Sequence, residues 1–250
     1  MTDAISHFSY QGATLVVEEH PAEGAAGGEA VFVLLHGIGM GRGAFGDLTA
    51  HLTPHGRVIS LDLPGYGDAP EPDRTPTIER MADIVAALLR DRGVRRPVLI
   101  GHSMGTQVAI EAVVRHPGLT DRIVLAGPTV DPRARSIWGQ FRRLVHDLAI
   151  ESPRVLWIGA GEYLHAGPHL RRKMRAMLTH RPEDVYPRVP ARTLVLRGAS
   201  DAVAPRDWCL QVVALLPDAS LEEIDGHGHE TMIRDAAPAA ARIVGFAQRP

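Results

Sequence analysis

Val98-Leu-Ile-Gly101-His102-Ser103-Met104-Gly105 is the stretch around which the rest of the chain arranges itself. A short apolar run enters Gly-x-Ser-x-Gly, and a helical pattern follows at once from Met104. A strand that turns directly into a helix forces the residue at the turn into a strained backbone conformation. Small residues two positions to either side let strand and helix approach each other, and Gly101 and Gly105 stand there. The serine is then carried to the apex, with its hydroxyl at the sheet edge. The helix start behind it supplies N–H groups and a partial positive charge, which suits an oxyanion formed during acyl transfer. Gly and Ser are common turn residues, so the pentapeptide alone is weak. Its strand–turn–helix setting gives it meaning.

Outward from this motif, apolar runs alternate with amphipathic ones. Residues 30–35, 57–61, 97–101, 122–126, 193–197 and 220–224 read as strands, and 44–52, 77–92, 104–116, 206–216 and 230–247 as helices. Near-continuous apolar strands separated by helices imply a parallel sheet covered on both faces. Right-handed crossovers then bring the ends of the parallel strands to one edge, where ligands bind. The segment 131–188 breaks the rhythm. It reads as helices over 135–150, 153–164 and 169–180, punctuated by Pro153, Pro168 and Pro182. This gives a core of 1–130 and 189–250 with a helical lid at 131–188. Residues 131–187 carry ten Arg or Lys against six Asp or Glu, so the lid is either a solvated basic surface or one that attracts anionic substrates.

A serine is a poor nucleophile at neutral pH without a base, and the base needs an orienting acid. The later strand ends offer both. Leu194-Val-Leu-Arg-Gly-Ala-Ser-Asp201 runs from strand into a turn that ends on a carboxylate. Ile224-Asp-Gly-His227-Gly-His229 follows the last strand. The order Ser, Asp, His therefore appears along the chain.

Composition removes whole classes. With 45% hydrophobic and 22% charged residues the chain has the apolar content for a core, and 25 Gly with 19 Pro exclude a coiled coil. No apolar stretch approaches the roughly 20 residues that span a bilayer. A net charge of −2 speaks against a nucleic-acid binder. Met1 to His7 show no basic cluster followed by an apolar run, so a cytoplasmic protein is expected. Cys209, the single cysteine, allows no intrachain disulfide and reads as a small core residue. Lys173 is the only lysine, which reads most simply as GC-rich coding. His165 and His169 have metal-ligand spacing, but Gly167 and Pro168 between them weaken the helix. No metal and no cofactor are expected. A small-molecule substrate is the expected partner, and oligomeric state is unreadable.

Five motifs together resemble the α/β-hydrolase superfamily over nearly the whole chain: Leu35-His36-Gly37, Leu61-Asp62-Leu-Pro-Gly-Tyr-Gly67, Gly101-His-Ser-Met-Gly105, the Asp201 turn and the His229 loop. The resemblance implies an α/β fold with a mostly parallel, eight-stranded sheet flanked by helices, and a helical lid inserted after the strand ending near Ala126. It implies Ser103 as nucleophile, His229 as base through the Gly226-x-Gly228-His pattern, and Asp201 as acid. His227 remains the rival histidine, and Asp225 and Asp207 are the rejected acids. The oxyanion hole is expected from the N–H groups of Met104 and, by resemblance, Ile38. Gly37-Ile-Gly-Met-Gly-Arg-Gly43 lacks the dinucleotide spacing and the Lys-Ser/Thr ending of phosphate loops.

Candidate substrate-binding residues are His36, Met40, His102, Trp138 and Phe141. Of these, His36 also reads as a brace for the glycine loop and His102 as a buried support. Asp68 departs from the serine common at its position in relatives. The expected activity is a serine hydrolase of small or medium esters or related activated acyl groups. Carbon–carbon hydrolysis of diketone-like ring-cleavage products, acyl transfer and peracid formation use the same triad, and a ligand receptor with an intact triad is a more distant reading.

Overall fold

A computed structural model of the chain describes residues 4–23, 30–132 and 167–249. Eight strands form one sheet: β1 (Ala4–Tyr10), β2 (Ala13–His20), β3 (Val31–Leu35), β4 (Arg57–Asp62), β5 (Val98–His102), β6 (Arg122–Ala126), β7 (Arg192–Gly198) and β8 (Ala219–Ile224). Their spatial order is β1-β2-β4-β3-β5-β6-β7-β8. β1 and β2 pair antiparallel, as do β2 and β4; every other neighbouring pair is parallel. The fold is thus the α/β-hydrolase arrangement that the motifs implied.

The described helices are α1 (Gly46–Leu52), α2 (Ile78–Asp91), α3 (Met104–Arg115), α4 (Gly167–Thr179), α5 (Pro182–Val185), α6 (Arg206–Leu215) and α7 (Ala237–Gln248). Strand alternation explains why both faces of the sheet are covered. Val33, Leu35, Leu99 and Leu125 pack with α2, α3 and α6 on one side, while Leu34, Ile100, Val124 and Leu196 pack with α1 and α7 on the other. Such a strand cannot alternate polar and apolar residues, which is why β5 is buried along its whole length.

Two features depart from the strand-by-strand reading. The apolar-run reading covers β3 to β8 but not β1 and β2. They form a hairpin through Gln11 and Gly12, both at positive φ (49° and 79°), as the twist-matched two-residue turn requires. The helix expected from 230 begins only at Ala237. Turns occupy residues 229–235, Asp235 has a positive φ of 48°, and Pro238 stands in the first helical turn, where its missing N–H does no harm. The Ala236 N–H donates to the Asp47 carboxylate at 2.7 Å, which seats the start of α7 against α1.

Because β3 and β5 to β8 all run parallel, their C-terminal ends lie along one edge. That edge collects the residues after Leu35, His102, Ala126, Gly198 and Ile224. Among the described residues no helix is long and apolar enough to cross a membrane.

Candidate active site

Ser103 has φ +53° and ψ −116°, a conformation that L-residues adopt only under constraint. The constraint is visible on both sides. A Cβ added at Gly101 would overlap the backbone of Gly105 and Thr106, and one at Gly105 would overlap the Leu35 carbonyl. The Ser103 N–H donates to the Ala126 carbonyl at 2.9 Å, which ties the turn to β6. The Thr106 hydroxyl donates to the Ser103 carbonyl at 2.6 Å and closes the first turn of α3. The apex is more enclosed than the sequence suggested: Ser103 is 7% exposed, and a Cβ at Gly37 would lie 3.0 Å from its Cβ.

Asp201 and His229 come together from different strand ends. Asp201 Oδ2 stands 2.9 Å from His229 Nδ1, and Oδ1 accepts the N–H groups of Val203 and Ala204 at 2.8 Å each. Burial alone would raise the Asp201 carboxyl. The facing His229 imidazole and the two backbone donors outweigh it and hold the group below the usual carboxylate range. An ionised Asp201 accepts the Nδ1–H of His229 and so assigns the lone pair of that ring to Nε2. The loops carrying the pair are stitched together, since Ser200 N–H donates to the His227 carbonyl at 2.9 Å and Ala199 N–H to Ile224 at 2.8 Å. His227 faces a different and exposed carboxylate, Asp235, at 3.6 Å. Its ring nitrogens lie 3.0 Å and 3.2 Å from the carbonyls of Asp225 and Asp235.

His36 and His102 are both buried, and burial favours the neutral ring in each. His36 Nδ1–H donates to the Gly37 carbonyl at 2.7 Å, while Nε2 accepts the Leu63 N–H at 3.0 Å. Burial lowers its pKa from 6.5 to about 4. His36 thus pins the glycine loop that carries Ile38 to the loop after β4. His102 Nε2–H donates to the His229 carbonyl at 2.8 Å, with the two rings 4.9 Å apart. Burial, then the neighbouring His229, lowers its pKa to about 4 as well. Its Nδ1 faces Gly37 and has no hydrogen-bond partner among the described residues. Both side chains are supports of the site's walls by these contacts. Met40 Sδ lies beside Gly37, where a Cβ would be 3.3 Å away. Trp138 and Phe141 lie outside the described residues.

Several contributors went unread in the sequence. A Cβ at Gly127, which has φ +56°, would lie 2.7 Å from His229 Cε1 and 3.2 Å from Asp201 Oδ2, so this glycine floors the pair. Tyr66 donates its hydroxyl to Met104 Sδ at 3.4 Å, and its ring meets His36 edge-on at 5.1 Å. Asp68, the departure from the common serine, pairs with Arg42 at 2.9 Å; Arg42 also pairs with buried Asp62. Gly127 stands directly after a strand, and Tyr66 and Asp68 lie in and beside the Leu61–Gly67 motif, so each has a positional signal. Their contacts join distant segments.

His165 lies outside the described residues, and His169 stands 3.2 Å from Glu71. Glu79, Glu111 and His180 bring potential metal-ligand atoms within 4.8 Å, with His180 Nε2 already 2.9 Å from Glu111.

The profile of the alpha/beta hydrolase family matches residues 32–242. Similar curated proteins include a pimeloyl-[acyl-carrier protein] methyl ester esterase of Aromatoleum aromaticum, 28% identical over 84% of this chain and 95% of that protein. A putative non-heme haloperoxidase of Mycobacterium phage D29 is 28% identical over 86% of each. Among solved structures, the enol-lactonase of Burkholderia xenovorans LB400 superposes with a TM-score of 0.78 at 20% identity, covering 98% of this chain and 100% of that one.

Proposed function

Because the chain belongs to the alpha/beta hydrolase family, we propose that it is a serine hydrolase of a small or medium ester, or of a related activated acyl compound. Ser103 is the nucleophile, His229 the base and Asp201 the orienting acid. The observation that carries the reading is the 2.9 Å Asp201–His229 contact on the same strand-end edge as a serine at φ +53°. The ester named in the Aromatoleum relative and the lactone named in the solved structure are both acyl–oxygen substrates, which favours the same class here.

In this mechanism His229 Nε2 removes the Ser103 proton as the oxygen attacks the carbonyl carbon. The Met104 and Ile38 N–H groups hold the negative oxygen of the tetrahedral intermediate. Collapse breaks the acyl–oxygen bond, and the leaving alkoxide takes the proton from His229. Water, deprotonated by the same nitrogen, then attacks the acyl-enzyme and releases acid and Ser103. Neutral His36 suits this scheme, since it braces the Ile38 loop without adding a competing charge.

The architecture follows the same proposal. β6 ends at Ala126 and β7 begins at Arg192, yet the two strands are sheet neighbours. We propose that residues 131–188 are an insertion into a core of 1–130 and 189–250 and serve as the lid, a reading that the sheet pairing of β6 with β7 supports.

The direct test is fluorophosphonate labelling of the wild-type chain and of S103A, followed by a chain-length series of p-nitrophenyl esters. Labelling confined to Ser103 and loss of turnover in folded S103A are expected. Full activity in S103A would remove the proposal. A vinylogous diketone run beside the esters separates carbon–carbon hydrolysis from ester hydrolysis.

A further inference from the structure

All other basic residues of the chain are arginine, yet the one lysine occupies a closed position that an arginine would not fill in the same way. Lys173, on α4, is 7% exposed. Its ammonium donates to the Gly65 carbonyl, stands 2.6 Å from Glu71 Oε2 and lies 4.6 Å above the Tyr66 ring. Gly65 has φ +80°, and a Cβ there would come within 3.1 Å of the Lys173 Nζ and 2.7 Å of the Glu71 carboxylate. His169, one turn earlier on α4, reaches the other oxygen of Glu71 at 3.2 Å. A compact point charge thus gathers a carbonyl, a carboxylate and an aromatic face.

The gathered residue leads straight to the reaction site. Tyr66 is fixed on one face by Lys173. Its ring edge meets His36, whose Nδ1–H holds the Gly37 carbonyl, and its hydroxyl bonds Met104 Sδ. Gly37–Ile38 and Met104 are the two segments whose N–H groups the proposed mechanism uses. We propose that Lys173 is a positioning residue for the oxyanion-binding backbone, acting through Tyr66. The inference rests on the serine-hydrolase reading. It adds that the placement of α4 is transmitted to the transition state rather than only to substrate entry.

The test uses the full chain, p-nitrophenyl acetate, a trifluoromethyl ketone as tetrahedral analogue, and active-site titration with a fluorophosphonate. K173M is expected to lower kcat per titrated site by about ten- to hundredfold with KM changed by less than about threefold, and to weaken the ketone by the same factor as kcat/KM. A purely structural role would reduce the titrated fraction or the melting temperature and leave turnover per site intact. Y66L is expected to show a similar loss, and K173M/Y66L no more than the larger single loss, because the two act in one chain of contacts. K173R, which restores the charge, should recover part of the loss. If K173M does not fold, E71Q, which weakens the same clasp, should show a smaller change in the same direction.

Turnover per site and ketone affinity within about twofold of wild type, or losses that multiply in the double variant, overturn the inference while leaving the hydrolase reading in place. Absence of wild-type labelling at Ser103 overturns the hydrolase reading itself, and the inference falls with it.

Discussion

Asp201 Oδ2 and His229 Nδ1 stand 2.9 Å apart although 28 residues separate them, and the second oxygen of Asp201 is already committed to two backbone donors. That division of labour makes Asp201→Asn informative. The amide oxygen would stay with the Val203 and Ala204 N–H groups, so the NH2 would face His229. A donor there forces the imidazole proton onto Nε2, the nitrogen that accepts from serine in the proposed mechanism. Turnover should fall by about three to four orders of magnitude with the fold retained. Ester kinetics beside far-UV circular dichroism check this, and a D201N protein within tenfold of wild type would contradict it.

The two loop histidines should separate cleanly. His229 faces the carboxylate, whereas the His227 ring lies against the Asp225 and Asp235 carbonyls. H229A is expected to lose fluorophosphonate reactivity at Ser103. H227A should keep turnover within about threefold and lose at most the ~1 kcal/mol of a backbone hydrogen bond. Equal losses in both variants would show that the base had been misassigned.

Gly127→Ala places a methyl group against the imidazole, 2.7 Å from Cε1, at a φ of +56°. Left-handed backbone at alanine costs about 1–2 kcal/mol, which a domain of this size survives. The displacement of His229 should matter more, with turnover down by about a hundredfold. Wild-type activity in a folded G127A would mean that the ring has room the geometry denies it.

Acid should destabilise the protein earlier than its carboxylates require. In the unfolded chain His36 and His102 take up protons as pH falls through about 6.5, but in the native protein only near pH 4. Between those values protons favour the unfolded chain, so stability falls with pH and levels off once both states are protonated. The drop from 6.5 to about 4 corresponds to roughly 3 kcal/mol for each histidine. Urea midpoints at about pH 7, about pH 5.5 and about pH 4.2 measure the slope. H102Q should flatten it, and a wild-type midpoint unchanged across the window would refute the account.

Cys209 is fully buried, and burial pushes its thiol up to about 12. Native protein should resist an aromatic disulfide reagent at pH 8 and react stoichiometrically only after denaturation. Rapid native modification would show that α6 opens.

The elements that were legible in the sequence are those whose signal is local. β5 and α3 are read from an apolar run meeting a helical period at Gly101-His-Ser-Met-Gly105, and the structure supplies the strained Ser103 that this pattern demands. Asp201 and His229 follow strands, so the topology brings them to one edge. β1 and β2 escape an apolar-run criterion because β1, at the sheet edge, alternates with Ser and His, and β2 ends in Glu18-Glu19-His20; the Gln11-Gly12 turn is the available signal. The start of α7 was read too early because Thr231-Met-Ile continues an apolar pattern that Asp235 and Pro238 interrupt. The Tyr66–Met104 and Lys173–Glu71 contacts join segments 38 and 102 residues apart, and no local period encodes them.

The solitary, enclosed Lys173 also turns the chain into its own unfolding reporter. A protease that cleaves only after lysine has a single site in these 250 residues, inside a packed helix. Native protein should remain one band, and each molecule that opens should yield two fragments, one carrying Ser103 and the other carrying both Asp201 and His229. Gel bands would then count opening events one cut at a time, and every cut would divide the proposed nucleophile from the pair proposed to activate it.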